Sequence, residues 1–454
     1  MSTTSLAQAS FTFPRGVHPP ENKSAAEHVP VEVLPSPAEV RISLLQHLGA
    51  PCQPLVKSKA EVTIGDKVGE ASGFVSAPVH SSVAGTVMRA RSVTLPNGRR
   101  VPSIPIQAAE EQPLAGAALF DDVFGGDWPM EGADRFEPGR IADAAKSAGL
   151  VGLGGAAFPT HVKLARNDAK PIEWLMLNGC ECEPYLTSDY RLMVEAPRPV
   201  ISGAILAARA VGADKVAVCV EDNKPEAIDR LTEAAAGTPV EIRVMKTKYP
   251  QGGERQLIYA ALGRAVPVGG LPLDVGVVVM NVGTSAALAR AVWREKPLTH
   301  RIVSVSGGGI AQAKNLLVPI GVSYQALVDY CGGLNPQASR IVAGGPMMGF
   351  TLGSLDTPVT KGTSGITVLT EAECRHAAET NCVRCGRCVD VCPQRLVPTK
   401  LALSSRAGAL DLLERYSIGA CIECGSCAYV CPASLPLVQL IRAGKTALRK
   451  EQSK

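Results

Sequence analysis

Residues 151–164 read VGLGGAAFPTHVKL, with Gly152, Gly154 and Ala157 in the G-x-G-x-x-A order of a dinucleotide-binding turn. Such a turn follows a strand and opens a helix, so that a pyrophosphate rests on the helix N-terminus. The flanks here satisfy neither condition. Residues 141–148 (IADAAKSA) have helical composition with Gly149 as a stop, and Pro159 falls where the next helix would need a backbone donor. An ordinary Rossmann turn is therefore not expected. A glycine-dense loop with Lys163 close behind still suits a phosphate or a flat ring, because small residues let backbone N–H groups approach a ligand.

The segments downstream alternate. Residues 173–177, 215–220 and 240–245 predict strands, and 200–211 and 225–236 predict helices, the pattern of an α/β sheet with ligands at the carboxyl ends of its strands. The strand ending at Leu177 runs into Asn178, Gly179, Cys180, Glu181, Cys182, Glu183 and Pro184. Two acidic side chains in such a turn are either plain loop or, beside a glycine loop, acceptors for ribose hydroxyls. Residues 275–289, uncharged but broken by two glycines, Asn281, Thr284 and Ser285, predict a buried strand and a turn rather than a membrane span.

Eight of the 14 cysteines form two copies of C-x2-C-x2-C-x3-C-P: Cys382, Cys385, Cys388 and Cys392 before Pro393, and Cys421, Cys424, Cys427 and Cys431 before Pro432. In this pattern three close thiolates hold three irons of one [4Fe-4S] cubane and the fourth reaches the other cluster. The expected ligand sets are Cys382, Cys385, Cys388 with Cys431, and Cys421, Cys424, Cys427 with Cys392. Zinc also takes four thiolates, but usually from two separated C-x-x-C knuckles. The doubling is that of bacterial two-cluster ferredoxins, and a helix is predicted across residues 399–416 between the motifs. For most of Cys52, Cys180, Cys182, Cys219, Cys331 and Cys374 a small buried side chain is expected, with Cys180 and Cys182 set apart only by their neighbours.

The 454-residue chain is 46% hydrophobic and 19% charged, with 44 glycines and 34 prolines, which predicts roughly three packed, turn-rich domains rather than disorder. A net charge of +4 makes no case for nucleic acid. The opening MSTTSLAQASFTFPRG lacks the apolar core of a signal peptide, and no window reaches the ~18 apolar residues of a span. The basic residues 442–454 are expected to be a solvated terminus. No Ser/His/Asp set is evident, and no catalytic residue is assigned.

Four segments, GLVGLGGAAFPTHVKL (149–164), NGCECEP (178–184), YPQGGERQL (249–257) and NVGT (281–284), resemble in order and approximate spacing the FMN- and NADH-binding segments of the flavoprotein subunit of respiratory complex I. With FPRGVHPPENK (13–23), NGCECEPYLTSDYRLM, VPVGGLPLDVGVVVMNVGT and the doubled cysteine motif, nearly the whole chain resembles the C subunits of Rnf ion-translocating oxidoreductase complexes. The resemblance implies a noncovalent FMN. Gly152, Gly154, Gly155 and Lys163 would line one side of it, Asn178, Glu181 and Glu183 the ring edge and the nicotinamide approach. Tyr249, Gly252, Gly253 and Glu254 would cover the flavin, with Asn281 and Thr284 near its phosphate. The sequence departs from the complex I pattern at Val151 and Leu153, basic there, at Ala157 and His161, glycines there, at Gly253, a glutamate there, and at Cys180, acidic there.

An electron-input subunit is implied. NADH would reduce FMN, and two [4Fe-4S] clusters would pass single electrons to an iron–sulfur partner subunit. Membrane-embedded subunits would couple this, reversibly, to ion translocation and to ferredoxin or flavodoxin. Such a subunit would lie peripherally on the cytoplasmic side of the bacterial inner membrane. The alternatives are a corrinoid-type flavin and iron–sulfur reductase, and a ferredoxin-like adaptor without an active flavin site.

Outlying segments complete the organisation. Residues 61–91 alternate apolar and polar positions between glycine turns and resemble the barrel of biotinyl and lipoyl carriers. No lysine occurs between Lys67 and Lys146, so the hairpin tip has nothing to modify; a packing or docking role is expected, with His80 structural. Residues 296–349 resemble the soluble-ligand-binding β-grasp module, with Gly307, Gly308 and Gly309 as a hairpin turn. The predicted fold class is multidomain α/β. After an N-terminal extension (1–30) come a barrel-sandwich β module (31–110), an α/β flavin domain (135–295), a β-grasp (296–352) and a two-cluster ferredoxin-like domain (365–454).

Overall fold

The structure is a computed structural model that describes residues 11–166, 169–374 and 377–452. Its central feature is a four-stranded parallel sheet in the order Val240–Met245, Lys215–Glu221, Trp174–Gly179, Val277–Asn281. Both faces of a parallel sheet are covered, so its strands are near-continuous apolar runs. In Trp174–Gly179 (WLMLNG) only Asn178 escapes full burial. Alternate residues point to opposite faces. Leu175, Leu177, Val218 and Met280 pack among the helices on one side, and Trp174, Met176, Ala217 and Val279 pack on Leu257 and Ile258 of Glu254–Leu262 on the other. The chain moves outward from Trp174–Gly179 to Lys215–Glu221 and then returns to its other side as Val277–Asn281, so the carboxyl ends of these strands flank a topological switch point.

Two helices press closely behind this sheet. Pro197–Val211 starts on a proline and ends at Gly212 with φ +68°, and it packs its small residues on Val282–Trp293. The latter helix overturns the expected turn within 275–289: Asn281 caps it by accepting from the N–H groups of Gly283 and Thr284, so the strand passes directly into helix.

The barrel-sandwich module has one sheet of Glu39–Ser43, Arg100–Ala108, Gly85–Val87 and Glu61–Val62, with Arg91–Thr94 paired to Arg100–Ala108, and a second of Gln53–Pro54, Lys67–Glu70 and Val79–His80. The β-grasp departs from its expected limits at both ends. Its six-stranded sheet takes Val31–Val33 at one edge, paired to Lys314–Pro319, and Gly365–Thr370 between His300–Ser306 and Ala338–Ala343. Strand 365–370 thus belongs here and not to the cluster domain, because its buried side chains complete this core. Gly307 to Gly309 do form the turn of an antiparallel hairpin.

In the cluster domain the predicted helix across 399–416 is two, Pro398–Arg406 and Leu410–Arg415, broken at Gly408 with φ +68°. The basic tail is likewise not simply solvated: it lies in the helix Leu437–Gln452, where Arg442 and Lys445 both pair with Glu423. Residues 11–23 tie the flavin sheet to this domain. Phe11 bridges to Met245, Val17 exchanges backbone hydrogen bonds with Tyr249, the Gly16 N–H donates to the Val391 carbonyl and the Arg15 guanidinium donates to that of Val389.

A Cβ on Gly203 would stand 1.9 Å from the Ser285 carbonyl oxygen, so the two helices behind the sheet meet backbone to backbone. Gly203→Ala should therefore cost about 1–3 kcal/mol by overpacking. Its thermal midpoint should fall by several degrees; an unchanged midpoint would mean that the helices slide apart freely.

Candidate functional site

The glycine loop sits between two helices. Pro138–Ser147 ends at Gly149, whose φ of +66° reverses the chain, and Thr160–Leu164 begins directly after Pro159. Between them Val151 bridges Pro159, the Gly152 N–H donates to the Phe158 carbonyl at 2.8 Å and the Ala157 N–H to the Gly152 carbonyl at 3.1 Å. The result is a closed loop with Gly154, Gly155 and Ala156 exposed at its apex, and no strand leads into it. Its inner side is held from three places. Leu153 N–H donates to Thr284 Oγ1 at 2.9 Å, the Arg301 guanidinium donates to the Leu153 carbonyl at 3.3 Å, and the Lys361 ammonium donates to the Gly149 carbonyl at 2.7 Å.

At the switch point Asn178 and Asn281 are register neighbours on adjacent strands. Asn178 Nδ2 donates to the Gly252 carbonyl at 2.8 Å, fixing the 252–254 turn over the sheet end. Asn281 Nδ2 donates to Asp189 at 2.7 Å, and Gly154 lies so close that a Cβ there would come within 3.4 Å of the Asn281 side chain. Lys163 donates to Glu254 at 2.8 Å and to the Val279 carbonyl at 3.0 Å. Gly152, Gly154, Gly155, Lys163, Asn178, Gly252, Gly253, Glu254, Asn281 and Thr284 are thus gathered at the carboxyl end of the sheet.

Three residues expected at the same ligand face elsewhere. The Glu181 carboxylate, expected at the ring edge, turns inward and accepts from Ser188 Oγ and from the N–H groups of Asp189 and Tyr190, capping the helix Ser188–Glu195. Glu183 accepts from the N–H groups of Met347 and Met348 in the β-grasp, and burial pushes its carboxyl up to about 7. Tyr249 is buried with its hydroxyl on the Cys424 carbonyl at 2.6 Å. Conversely, the sequence reading gave no role to Asp189, which stands beside Asn281 with its carboxyl raised to about 7 by burial and by Glu181. Lys361 and Arg301 were equally silent; neither lies in a recognisable motif.

The two cysteine loops repeat one conformation. Arg384 and Glu423 both have φ near +57°, Gly386 and Gly425 follow at +80° and +82°, and the Arg384 and Glu423 N–H groups donate to the sulfurs of Cys382 and Cys421. Cys392 lies electrostatically among Cys421, Cys424 and Cys427, while Cys388 has both Cys385 and Cys431 as electrostatic neighbours. Burial raises the Cys427 thiol, and Cys424, Cys421 and Cys392 each raise it further. Thiols crowded in this way suit iron, since coordination removes their protons and offsets the mutual repulsion of thiolates. The surroundings of the two sets differ. Cys424 packs with Tyr249, Val17, Cys182 and Met347, whereas Cys385 is exposed beside Val383, itself 64% exposed.

A flavin mononucleotide fits the first site. The loop apex is bare backbone and a Cβ on Gly155 would meet nothing within 4 Å, which leaves backbone N–H groups open to a phosphate or a flat ring. Comparison with known families agrees in chain order. The RnfC barrel sandwich hybrid domain matches residues 11–111, the Nuo51 FMN-binding domain 145–290, the SLBB domain 302–351 and the 4Fe-4S dicluster domain 381–435. The fold and sites therefore define a flavin- and iron–sulfur-binding electron-transfer protein.

Among curated proteins, the C subunit of the Na(+)-translocating ferredoxin:NAD(+) oxidoreductase complex of Acetobacterium woodii is 42% identical over 408 residues, covering 89% of each chain. The C subunit of the proton-translocating ferredoxin:NAD(+) oxidoreductase complex of Clostridium ljungdahlii is 40% identical, covering 86% of this chain and 84% of that one. The C subunit of the ion-translocating oxidoreductase complex of Rhodobacter capsulatus is 39% identical, covering 98% and 85%. The chain belongs to the family of C subunits of the ion-translocating ferredoxin:NAD+ oxidoreductase, or Rnf, complexes.

Lys361 generates a pH test. It is 1% exposed, donates to the Pro78 and Gly149 carbonyls at 2.7 Å each, and burial drives its ammonium pKa down to about 7. Between that value and the ordinary 10.5 the unfolded chain binds the proton and the folded chain does not, so this group's stabilisation is full at high pH and is lost as pH falls towards 7. The thermal midpoint of the anaerobic holoprotein should drop across this window more steeply than that of Lys361→Met. Parallel profiles would refute a buried, neutralised lysine.

Proposed function

We propose that this chain is the electron-input subunit of its complex: it oxidises NADH at FMN and delivers electrons one at a time, through an inner and then an outer [4Fe-4S] cluster, to an iron–sulfur partner subunit. The reading rests above all on the hydrogen bond from Tyr249 to the Cys424 carbonyl, which joins the segment over the flavin site to the loop of one cysteine set. When bound, FMN exchanges an electron pair with nicotinamide and single electrons with iron–sulfur centres.

Gly152, Gly154, Gly155 and Lys163 would hold FMN from the loop side, Asn178, Gly252, Gly253 and Glu254 from the turn, and Asn281 and Thr284 at the phosphate end. Glu181, Glu183 and Tyr249 support this shell from behind. Cys421, Cys424, Cys427 and Cys392 would hold the inner cluster, with Arg442 and Lys445 adding positive charge beside it through Glu423 and, for Lys445, the Cys421 carbonyl. Cys382, Cys385, Cys388 and Cys431 would hold the outer one, whose exposed rim carries Arg384 and Arg387 and suits an acidic partner. No general base is needed, because hydride transfer asks the protein for orientation and exclusion of water. Among the described residues no helix is long and apolar enough to cross a membrane. Ion translocation is accordingly assigned to membrane-embedded partner subunits, and this chain to the cytoplasmic face, where NADH is found.

The protein should be isolated anaerobically, its released flavin identified and NADH added to the holoprotein. FMN that is bleached by NADH, with reduced clusters appearing in electron paramagnetic resonance, is the expected result. Protein without flavin, or flavin that NADH leaves oxidised, would sink the reading. In Tyr249→Phe the buried Cys424 carbonyl loses its donor, at about 1–3 kcal/mol. Bleaching should persist in that variant while cluster reduction slows; equal rates for both would remove Tyr249 from the route.

A further inference from the structure

The barrel-sandwich module touches the glycine loop through one of its hairpins and leaves another uncovered. The loop between Lys67–Glu70 and Val79–His80 is engaged: the Phe74 carbonyl accepts from His161 Nε2 at 3.2 Å, and alongside it the Leu48 N–H donates to the Ala157 carbonyl at 3.0 Å. The uncovered hairpin pairs Arg91–Thr94 with Arg100–Ala108. Residues 71–109 hold four arginines, Arg89, Arg91, Arg99 and Arg100, and no aspartate or glutamate. All four lie in or beside this hairpin, and all four are exposed. Its inner face is occupied, since Val93, Leu95 and Val101 pack with Leu45 in a small core of their own. Arg100 stands across from Thr94 on the opposite, outer face. The turn is closed by the Leu95 N–H on the Arg99 carbonyl and the Gly98 N–H on the Leu95 carbonyl, both at 2.9 Å.

A second turn adds two lysines. The Lys59 N–H donates to the Val87 carbonyl at 2.7 Å and the Val87 N–H to the Ala60 carbonyl at 2.9 Å, which sets the turn carrying exposed Lys57 and Lys59 alongside Met88 and Arg89. Among the described residues none of these six side chains forms an ion pair or a hydrogen bond. Glu61, close to Lys59 in the chain, accepts from Thr86 Oγ1 at 2.8 Å instead. Arg41 of the same module, by contrast, is paired with Glu39 and Asp356. Two apolar side chains stand among the free cations, Leu55 at 54% and Met88 at 36% exposure.

One charge on an edge strand is enough to deter strand pairing, and Arg91 would serve that end alone. A surface that reads fixed carboxylates holds its guanidinium groups in place, whereas here nothing holds them. A layer of mobile phosphates asks only for charge density and reach, and Leu55 and Met88 suit the boundary between headgroups and acyl chains. We propose that this hairpin, with the turn beside it, binds the anionic phospholipid headgroups of the membrane next to which the complex works. The inference rests on the peripheral placement proposed above and assigns the contact that provides it. Each basic side chain close to an anionic bilayer surface is worth a factor of roughly five in partitioning, and the attraction fades within a Debye length.

The test uses the anaerobic holoprotein and vesicles of phosphatidylcholine, alone or mixed with phosphatidylglycerol in equal parts. The wild type should float with the mixed vesicles only, and raising the salt should release it. Arg99→Ala combined with Arg100→Ala should weaken that binding roughly 20- to 30-fold, with FMN content, bleaching by NADH and thermal midpoint unchanged. Arg99→Lys combined with Arg100→Lys should bind as the wild type does, because a phosphate layer accepts a point charge where a fixed carboxylate favours the guanidinium fork. No flotation of the wild type, equal flotation with both vesicles, or an alanine pair that binds undiminished overturns the proposal. So does flotation that needs partner subunits in the vesicle and fails in the lysine pair, which would assign the arginines to an acidic protein face. Vesicle binding is read without NADH and flavin bleaching without vesicles, so this inference and the electron-input reading fail separately.

Discussion

A lysine ammonium shut away from water must be met by oxygen atoms, and the position of the flavin loop follows from how Lys361 meets that demand. Its acceptors are Pro78 of the barrel sandwich and Gly149 at the root of the loop. Its own backbone adds two more ties, since its N–H donates to Gln46 and its carbonyl accepts from Arg301. Arg301 in turn holds the Leu153 carbonyl farther along the loop. Two buried basic side chains from the β-grasp region therefore hold the incoming arm of the glycine loop, at Gly149 and Leu153, through carbonyl acceptors. Removing either one would strand acceptors in a dry interior, at a cost typical of buried unsatisfied groups.

The second half of the molecule is held to the first by a narrow set of contacts. Residues 11–23 run along the edge of the parallel sheet and reach both Tyr249 and the backbone near Cys392. Glu183 holds the Gly345–Gly349 loop, and Met347 of that loop lies against Cys424. The inner cysteine set is enclosed by residues from the flavin sheet, the N-terminal strap and the β-grasp together. In the outer set, related to it by the internal repeat, Cys385 is exposed. Position in the whole fold, not the motif, makes the two sets unequal.

Much of this was legible early. The doubled cysteine motif shows in its spacing, the strand at 215–220 in an unbroken apolar run and that at 240–245 in apolar residues alternating with Glu241 and Arg243. Other elements misled for definable reasons. Val282–Trp293 opens with Gly283, Thr284 and Ser285, poor helix formers whose cost is offset by the Asn281 cap and by packing on Pro197–Val211. Strand 365–370 joins a sheet whose other members lie far away in sequence, and no local pattern says so. Glu181 and Glu183 occupy the motif a nucleotide site would use, yet one caps a helix and the other holds a neighbouring module.

The sequence by itself determined the doubled cysteine motif, the family and the segments that meet at the end of the parallel sheet, because these depend on residue type and spacing along a single strand, turn or loop. Only the tertiary structure decided which acidic groups face inward, which cysteine set lies next to the flavin site, and that the barrel-sandwich tip touches the glycine loop. Those outcomes depend on which buried charges find partners across module boundaries, and such partners are set by the packing of distant segments rather than by their neighbours in the chain.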